Sequence, residues 1–279
     1  MEQISLDGRI VIVAGAAGGG IGTTVTQKVA RAGATVIAVS RSPQNLETHI
    51  APLVKEGLSV IPVAADIATD EGIAKAMEQA KRAKGQLYGL VNVAGNAPPA
   101  TWMRGTRVTR EDWRSLFTAN LETMFFMSQA VAAELRAQKK PGSIVSISSI
   151  SGLNTAPYHI AYGTAKAAIV AATRTLAAEL ALDDIRFNAI APGPTATPAS
   201  RTFIEDDAER DAKAISMGRR GTPEEQAGAI LFFLSELSGY ITGQTILVDG
   251  GLNLRWTHLG ADNTSLFLKD EGFRAAMKR

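Results

Sequence analysis

Tyr162 and Lys166 stand four residues apart in a stretch with a helical pattern, so both side chains fall on one helix face. Thirteen residues before Tyr162, just past a β-branched run, stands Ser149. These residue types suit proton transfer at an oxygen. Hydride addition to a ketone leaves an alkoxide that needs a proton, and the reverse oxidation needs a base near neutral pH. A tyrosine titrates at about 10 when unperturbed, and a positive charge such as Lys166 would bring it down. Ser149 would donate a hydrogen bond to the substrate oxygen and stabilise the charge that develops there. Taken one at a time, the pair reads more plainly as a packed tyrosine and a solvated lysine.

A second group of residues suits a phosphate-bearing ligand. Gly15-Ala16-Ala17-Gly18-Gly19-Gly20-Ile21-Gly22 follows an apolar run directly and opens an amphipathic stretch that reaches Ala32. A strand, a glycine turn and a helix start form an anion site, because backbone N–H groups and the helix dipole converge on phosphate oxygens. Glycine is required where a side chain would block a pyrophosphate, so the context points to a dinucleotide. After the second apolar run the chain reads Ser40-Arg41-Ser42. An acidic residue there would accept from a ribose 2'-hydroxyl, whereas Arg41 suits a 2'-phosphate, which favours NADP(H) over NAD(H).

Positioning these groups takes alternating elements. Seven short runs read as strands, at Arg9 to Ala14, Thr35 to Ser40, Ser59 to Val63, Leu87 to Val91, Ser143 to Ser148, Ile185 to Ile190 and Thr245 to Val248. Most are continuous apolar runs, the mark of strands covered on both faces. Helical patterns lie between them, the longest at Asp112 to Gln138 and His159 to Leu182. Thr222-Pro223-Glu224-Glu225 has the form of a capping box with proline at the first helical position. The alternation gives an α/β class, a doubly wound parallel sheet flanked by helices. No repeat, low-complexity tract or linker divides residues 1 to 279, and the chain reads as a single domain.

Composition narrows the class. In 279 residues, 46% are apolar and 20% charged, and 29 basic against 27 acidic side chains leave a net charge of +2. That balance argues against disorder and against a nucleic-acid-binding arm. Cysteine is absent, so no disulfide framework, thiolate metal site or cysteine nucleophile is available. His49, His159 and His258 have no metal-ligand spacing, and no apolar run is long enough to span a membrane. The expectation is a cytoplasmic protein acting on a small molecule, with no metal, membrane or nucleic-acid partner.

From Asp7 to Gly251 the sequence resembles the classical short-chain dehydrogenase/reductase family. The resemblance rests on motifs in the family order: the glycine turn, Asp66-Ile67, Asn92-Val93-Ala94-Gly95, Asn120, Ser149 with Tyr162-x-x-x-Lys166, Pro192-Gly193, and Val248-Asp249-Gly250-Gly251. It implies a Rossmann-type sheet of seven parallel strands ordered 3-2-1-4-5-6-7. Tyr162 would be the acid/base, Lys166 would also bind the nicotinamide ribose, and Asn120 would hold a relay water. Gly15, Gly18, Gly20, Ile21, Gly22, Ser40, Arg41, Asp66, Ile67, Asn92, Ala94 and Gly95 would bind the cofactor, with Asp66 at the adenine. Pro192, Gly193, Thr195 and Thr197 would complete that site. The resemblance also implies a homotetramer packed through the long helices, and a substrate lid over residues 194 to 218.

Two departures stand out. Ala14 replaces the usual threonine, and four residues instead of three separate Gly15 from Gly20, which makes the turn one residue longer. A tail of 28 residues, 252 to 279, follows Gly251 and carries Trp256 and Phe267. The substrate would meet Asn96, Trp102, Met103, Ser149, Ser151, Asn154, Thr155, His159, Tyr162, Pro194 and Phe203, a mixed and moderately apolar set. The leading expectation is an NADP(H)-dependent oxidoreductase that interconverts a ketone and a secondary alcohol. A 3-oxoacyl thioester reductase would use the same residues and would need a docking surface for its carrier. A catalytically silent dinucleotide-binding sensor or scaffold is the reading from another class.

Overall fold

The four β-branched residues Ile10 to Val13 form the centre of β1 (Arg9–Ala14) and are fully buried. Their side chains alternate between two separate apolar clusters. Ile10 and Ile12 pack with Met77, Met124, Leu135 and Phe187, while Val11 and Val13 pack with Val25, Val29, Phe233 and Leu234. A strand with a core on each face must be covered by helices on both sides. The computed structural model describes residues 4–201, 207–255, 260, 262 and 271–277.

Along the chain β1 is followed by α1 (Ile21–Arg31), β2 (Thr35–Ser40), α2 (Pro43–His49), α3 (Ala51–Lys55), β3 (Val60–Ala64), α4 (Asp70–Arg82) and β4 (Gln86–Asn92). Next come α5 (Arg110–Phe117), α6 (Thr123–Gln138), β5 (Gly142–Ile147), α7 (Ile160–Leu180) and β6 (Ile185–Pro192). The remainder is α8 (Pro198–Arg201), α9 (Ala208–Ala214), α10 (Pro223–Leu234), β7 (Thr245–Val248) and α11 (Glu271–Met277). All seven strands pair in parallel in the order β3-β2-β1-β4-β5-β6-β7, as the family resemblance implies. The winding reverses between β1 and β4, where open α/β sheets leave a crevice at the carboxyl ends of their strands.

The helices sort by face. Apolar residues of α1, α2, α3 and α10 enter the cluster holding Val11 and Val13, and those of α4, α6 and α7 enter the cluster holding Ile10 and Ile12. The capping box at Thr222 forms: its hydroxyl accepts from the Glu225 N–H at 3.2 Å, and Glu225 accepts from the Thr222 N–H at 2.8 Å. Among the described residues, no helix is long and apolar enough to cross a membrane.

One expectation needs correction. The stretch Asp112 to Gln138 is two helices joined by a five-residue π turn, Thr118–Glu122. Asn120 lies inside that turn, and its side-chain Nδ2 donates to the Leu116 carbonyl, one turn back, at 2.9 Å and to the Asn96 carbonyl at 2.8 Å. A side chain that takes an i−4 carbonyl competes with the backbone ladder, and π turns of this kind recur at functional sites.

Candidate active site

Ser149 lies two residues past the end of β5 and caps a short 3-10 turn, Ile150–Gly152, where its Oγ accepts from the Ser151 N–H at 3.1 Å. That turn presses on α7. A Cβ on Gly152 would stand 2.6 Å from the Lys166 carbonyl carbon, so only glycine lets the Ser149 loop reach the helix carrying Tyr162. Lys166 is fixed at both ends by the tip of β5. The Ser148 hydroxyl donates to its carbonyl at 2.8 Å, and its buried Nζ donates to the Ile147 carbonyl at 2.9 Å. Nζ lies 5.6 Å from the centre of the Tyr162 ring.

Burial sets the proton affinities of this group. It pushes the Tyr162 phenol above its ordinary value, and the hydrogen-bonding Ser149 hydroxyl pulls the other way. It lowers the Lys166 ammonium to about 8. The sequence led us to expect a tyrosine brought down by the lysine charge. In the protein alone desolvation prevails, because both groups are packed into the same inner end of the cleft.

Asn120 completes this corner. It is buried, both its donors are engaged, and its Oδ1 has no partner. Gly95, at φ +149, lies between them: a Cβ there would stand 2.5 Å from that Oδ1 and 3.1 Å from Lys166 Nζ. A side chain at 95 would fill the space into which the free acceptor and the ammonium both point. Unpaired buried acceptors are costly, so this one marks a place for a donor such as water.

From this corner a cleft of about 1110 Å³ runs across the carboxyl ends of the strands to the glycine turn and the tip of β2. The expected cofactor residues Gly15, Gly18, Gly20, Ile21, Gly22, Ser40, Arg41, Asp66, Ile67, Ala94, Gly95, Tyr162, Lys166, Pro192, Gly193, Thr195 and Thr197 line it. Asn92 does not line the cleft. Its Nδ2 donates to the hydroxyls of Ser128 at 2.9 Å and Ser146 at 3.1 Å, which ties β4 to β5 and α6. The start of α1 is bare of side-chain caps and has no acid in its first turn, whereas α4, α5 and α10 have both. Its dipole and N–H groups therefore remain free for an anion, and the residues fit a dinucleotide pyrophosphate. Thr197 reaches over the turn from the far side, with its Cβ and Cγ2 each 3.1 Å from where a Cβ on Gly20 would be.

The expected substrate residues scatter more. Asn96, Ser149 and Tyr162 line the cleft, while Ser151, Asn154, His159 and Pro194 do not. Asn154 is spent on Asn253, donating to its Oδ1 at 2.8 Å. His159 packs 4.5 Å from the Trp102 ring and 6.3 Å from the Tyr162 ring, centre to centre, and burial lowers its pKa. The Met103 N–H donates to the Tyr158 carbonyl at 2.9 Å, and the Thr155 N–H to Asn154 Oδ1 at 3.2 Å. Phe203, with residues 202–206 of the expected lid, lies outside the described residues, as do Trp256 and Phe267 of the tail. The described part of the lid segment holds α8 and α9, and Arg255 Nε donates to the Lys213 carbonyl near the end of α9 at 3.0 Å.

Several lining residues carried no sequence signal of their own. Ser42 and Asn45 come from the start of α2, and Arg110, Arg114 and Thr118 follow one another at four-residue intervals on the approach to Asn120. That spacing was readable, but the π turn displaces Asn120 from a continuous helical face.

A dinucleotide cleft at the switch point of a doubly wound sheet, with a tyrosine, a lysine and a serine at its inner end, defines a nicotinamide-dependent oxidoreductase class. Comparison with known proteins makes the class specific. A family model described as Enoyl-(Acyl carrier protein) reductase matches residues 15–253. The 3-oxoacyl-(acyl-carrier-protein) reductase of Thermotoga maritima is 38% identical over 251 residues, covering 88% of this chain and 98% of the relative. The acetoacetyl-CoA reductase of an Acinetobacter strain is 34% identical over 247 residues, covering 88% and 97%. Among solved structures, a gluconate 5-dehydrogenase from Burkholderia cenocepacia in complex with NADP and tartrate superposes with a TM-score of 0.83 at 29% identity, covering 91% of this chain and 98% of the other. The chain belongs to the short-chain dehydrogenase/reductase family, whose members are oxidoreductases acting on carbonyl and hydroxyl groups through a nicotinamide dinucleotide.

Proposed function

We propose that this protein uses NADP(H) to interconvert a ketone and a secondary alcohol on a small, moderately apolar molecule. The observation that carries the reading is the convergence of Ser149, Tyr162 and Lys166 at one end of the cleft, with the free Asn120 Oδ1 beside Lys166 Nζ. When bound, the reduced dinucleotide supplies the hydride. Ser149 holds the substrate carbonyl oxygen, and the Tyr162 hydroxyl gives that oxygen its proton. A phenol with a raised affinity stays protonated through neutral pH, which suits the acid of a reduction. The Lys166 ammonium offsets the charge left on the phenolate, and Asn120 Oδ1 anchors the water that returns the proton. Gly15, Gly18, Gly20, Ile21 and Gly22 would hold the pyrophosphate, Asp66 and Ile67 the adenine, and Arg41 the 2'-phosphate.

A second reading has support of its own: both named relatives act on thioester-linked 3-oxoacyl groups, so the substrate here would be a 3-oxoacyl thioester. Exposed Trp113 on α5 and Phe126 on α6 support a homo-oligomer, with a tetramer as the family arrangement. A cytoplasmic location belongs to the same reading. A panel of free, coenzyme A-linked and carrier-linked ketones, assayed with both cofactors on the wild type and Arg41→Asp, tests the substrate and cofactor readings. NADPH-dependent reduction in the wild type, with the preference moving toward NADH in Arg41→Asp, is the expected result. Turnover confined to thioesters selects the second reading, and an unchanged cofactor preference removes Arg41 from the phosphate site.

A further inference from the structure

We propose that His49 is a positioning residue for the dinucleotide, locking helix α2 to the phosphate turn. The inference deepens the cofactor reading above and rests on it. His49 is the last residue of α2, half-buried, and the edge of its imidazole faces the turn. Cε1, Nε2 and Nδ1 lie 2.9, 3.1 and 3.4 Å from the place a Cβ on Gly19 would take. Gly19 has a φ of +68, a conformation other residues resist, and it belongs to the stretch that makes this turn one residue longer than the family's. The ring occupies the room that glycine leaves.

Gly19 is also the turn residue that can be gripped without loss. Its N–H points inward and donates to Thr23 Oγ1 at 3.0 Å, and that hydroxyl donates on to the Ala16 carbonyl at 2.9 Å. Gly18 and Gly20, on either side, line the cleft while Gly19 does not. Contact with His49 thus takes no donor from the phosphates.

The other end of α2 belongs to the adenosine site. Arg41, Ser42 and Asn45 line the cleft, and His49 follows Asn45 by four residues on the same helix face. One short helix therefore follows directly on Arg41 at the 2' end of the ligand, carries Asn45 on the cleft, and holds the pyrophosphate turn at its finish. Binding at one end requires the other to be in place, and holding both in advance saves the ordering cost of binding. Without the ring, α2 and the turn can move independently.

The test titrates NADPH and NADH by fluorescence into the wild type, His49→Ala and His49→Phe, with the unliganded Tm of each. His49→Ala is expected to weaken NADPH binding about tenfold, with kcat at saturating cofactor unchanged. His49→Phe, whose flat ring refills the contact, should recover to within about threefold of wild type. Arg41→Ala should lose less NADPH affinity on the His49→Ala background than on the wild type, since the two ends then act apart. His49→Leu replaces His49→Ala if the latter does not fold. Wild-type affinity in the truncated variant, no rescue by phenylalanine, or strictly additive losses would overturn the proposal. A wild type that binds no dinucleotide removes the cofactor reading and this inference with it. A wild type that prefers NADH, with the His49 loss and rescue intact, removes only the 2'-phosphate role of Arg41.

Discussion

Burial acts in opposite directions on the two titrating groups of the site, and both shifts favour the neutral form. Tyr162 is held above the usual phenol value and keeps its proton, whereas Lys166 falls to about 8 and is close to losing its own. Lys166 is therefore mostly cationic at pH 7 and mostly neutral by pH 9. Reductive kcat/KM should be level through neutral pH and fall as pH rises through about 8, as the charge that stabilises the Tyr162 phenolate is lost. A pH profile in which reduction instead rises through that range would contradict the role given to Lys166. Chemistry made these residues legible in the sequence, because proton transfer demands particular types at particular spacings. Asn92 sits at a strand tip beside the cleft without lining it, and its amide donates to Ser128 and Ser146. Asn45 was silent because a short helix after β2 brings it to the cleft, and nothing in its local pattern shows where that helix lies.

At the scale of elements, the strands were readable nearly to the residue, since runs such as Ile10 to Val13 are apolar on both faces and admit no other placement. The break between α5 and α6 was not readable. Leu116, Met124, Met127 and Val131 keep an apolar face across it, and at the interruption one asparagine amide donates to the Leu116 and Asn96 carbonyls. Two substitutions separate element stability from chemistry. Thr222→Ala, which removes a capping box whose Thr222 and Glu225 do not line the cleft, should cost about 1 kcal/mol with little change in turnover. Asn120→Leu keeps the volume but leaves the Leu116 and Asn96 carbonyls without their donor, at a cost of about 1–3 kcal/mol. It should also lower turnover about tenfold or more, because the acceptor beside Lys166 disappears with it. Chemical denaturation and steady-state assays on both variants check the contrast, and equal loss of turnover in the two would contradict it.

Across the whole molecule, the cleft touches almost every part of the sheet's carboxyl edge, from the tip of β2 through β1 and β4 to β5 and β6. A ligand filling it ties together both winding halves of the fold, so binding should stabilise the entire domain and not one loop. At a concentration of about 100 times Kd, a site present only in the folded state gains about 2.7 kcal/mol. NADPH should therefore raise Tm in a single transition, and by more than NADH at equal concentration. Two separate transitions, only one of them ligand-sensitive, would contradict the single-domain reading of residues 1 to 279. The proposed reaction brings a hydride carrier to a proton donor, and Tyr162→Phe separates the two. NADPH affinity and ketone reduction are measured on the same preparation of this variant. Tyr162→Phe should keep near-wild-type NADPH affinity with turnover reduced about 10²–10⁴-fold, and undiminished reduction by this variant would contradict the role of Tyr162 as proton donor.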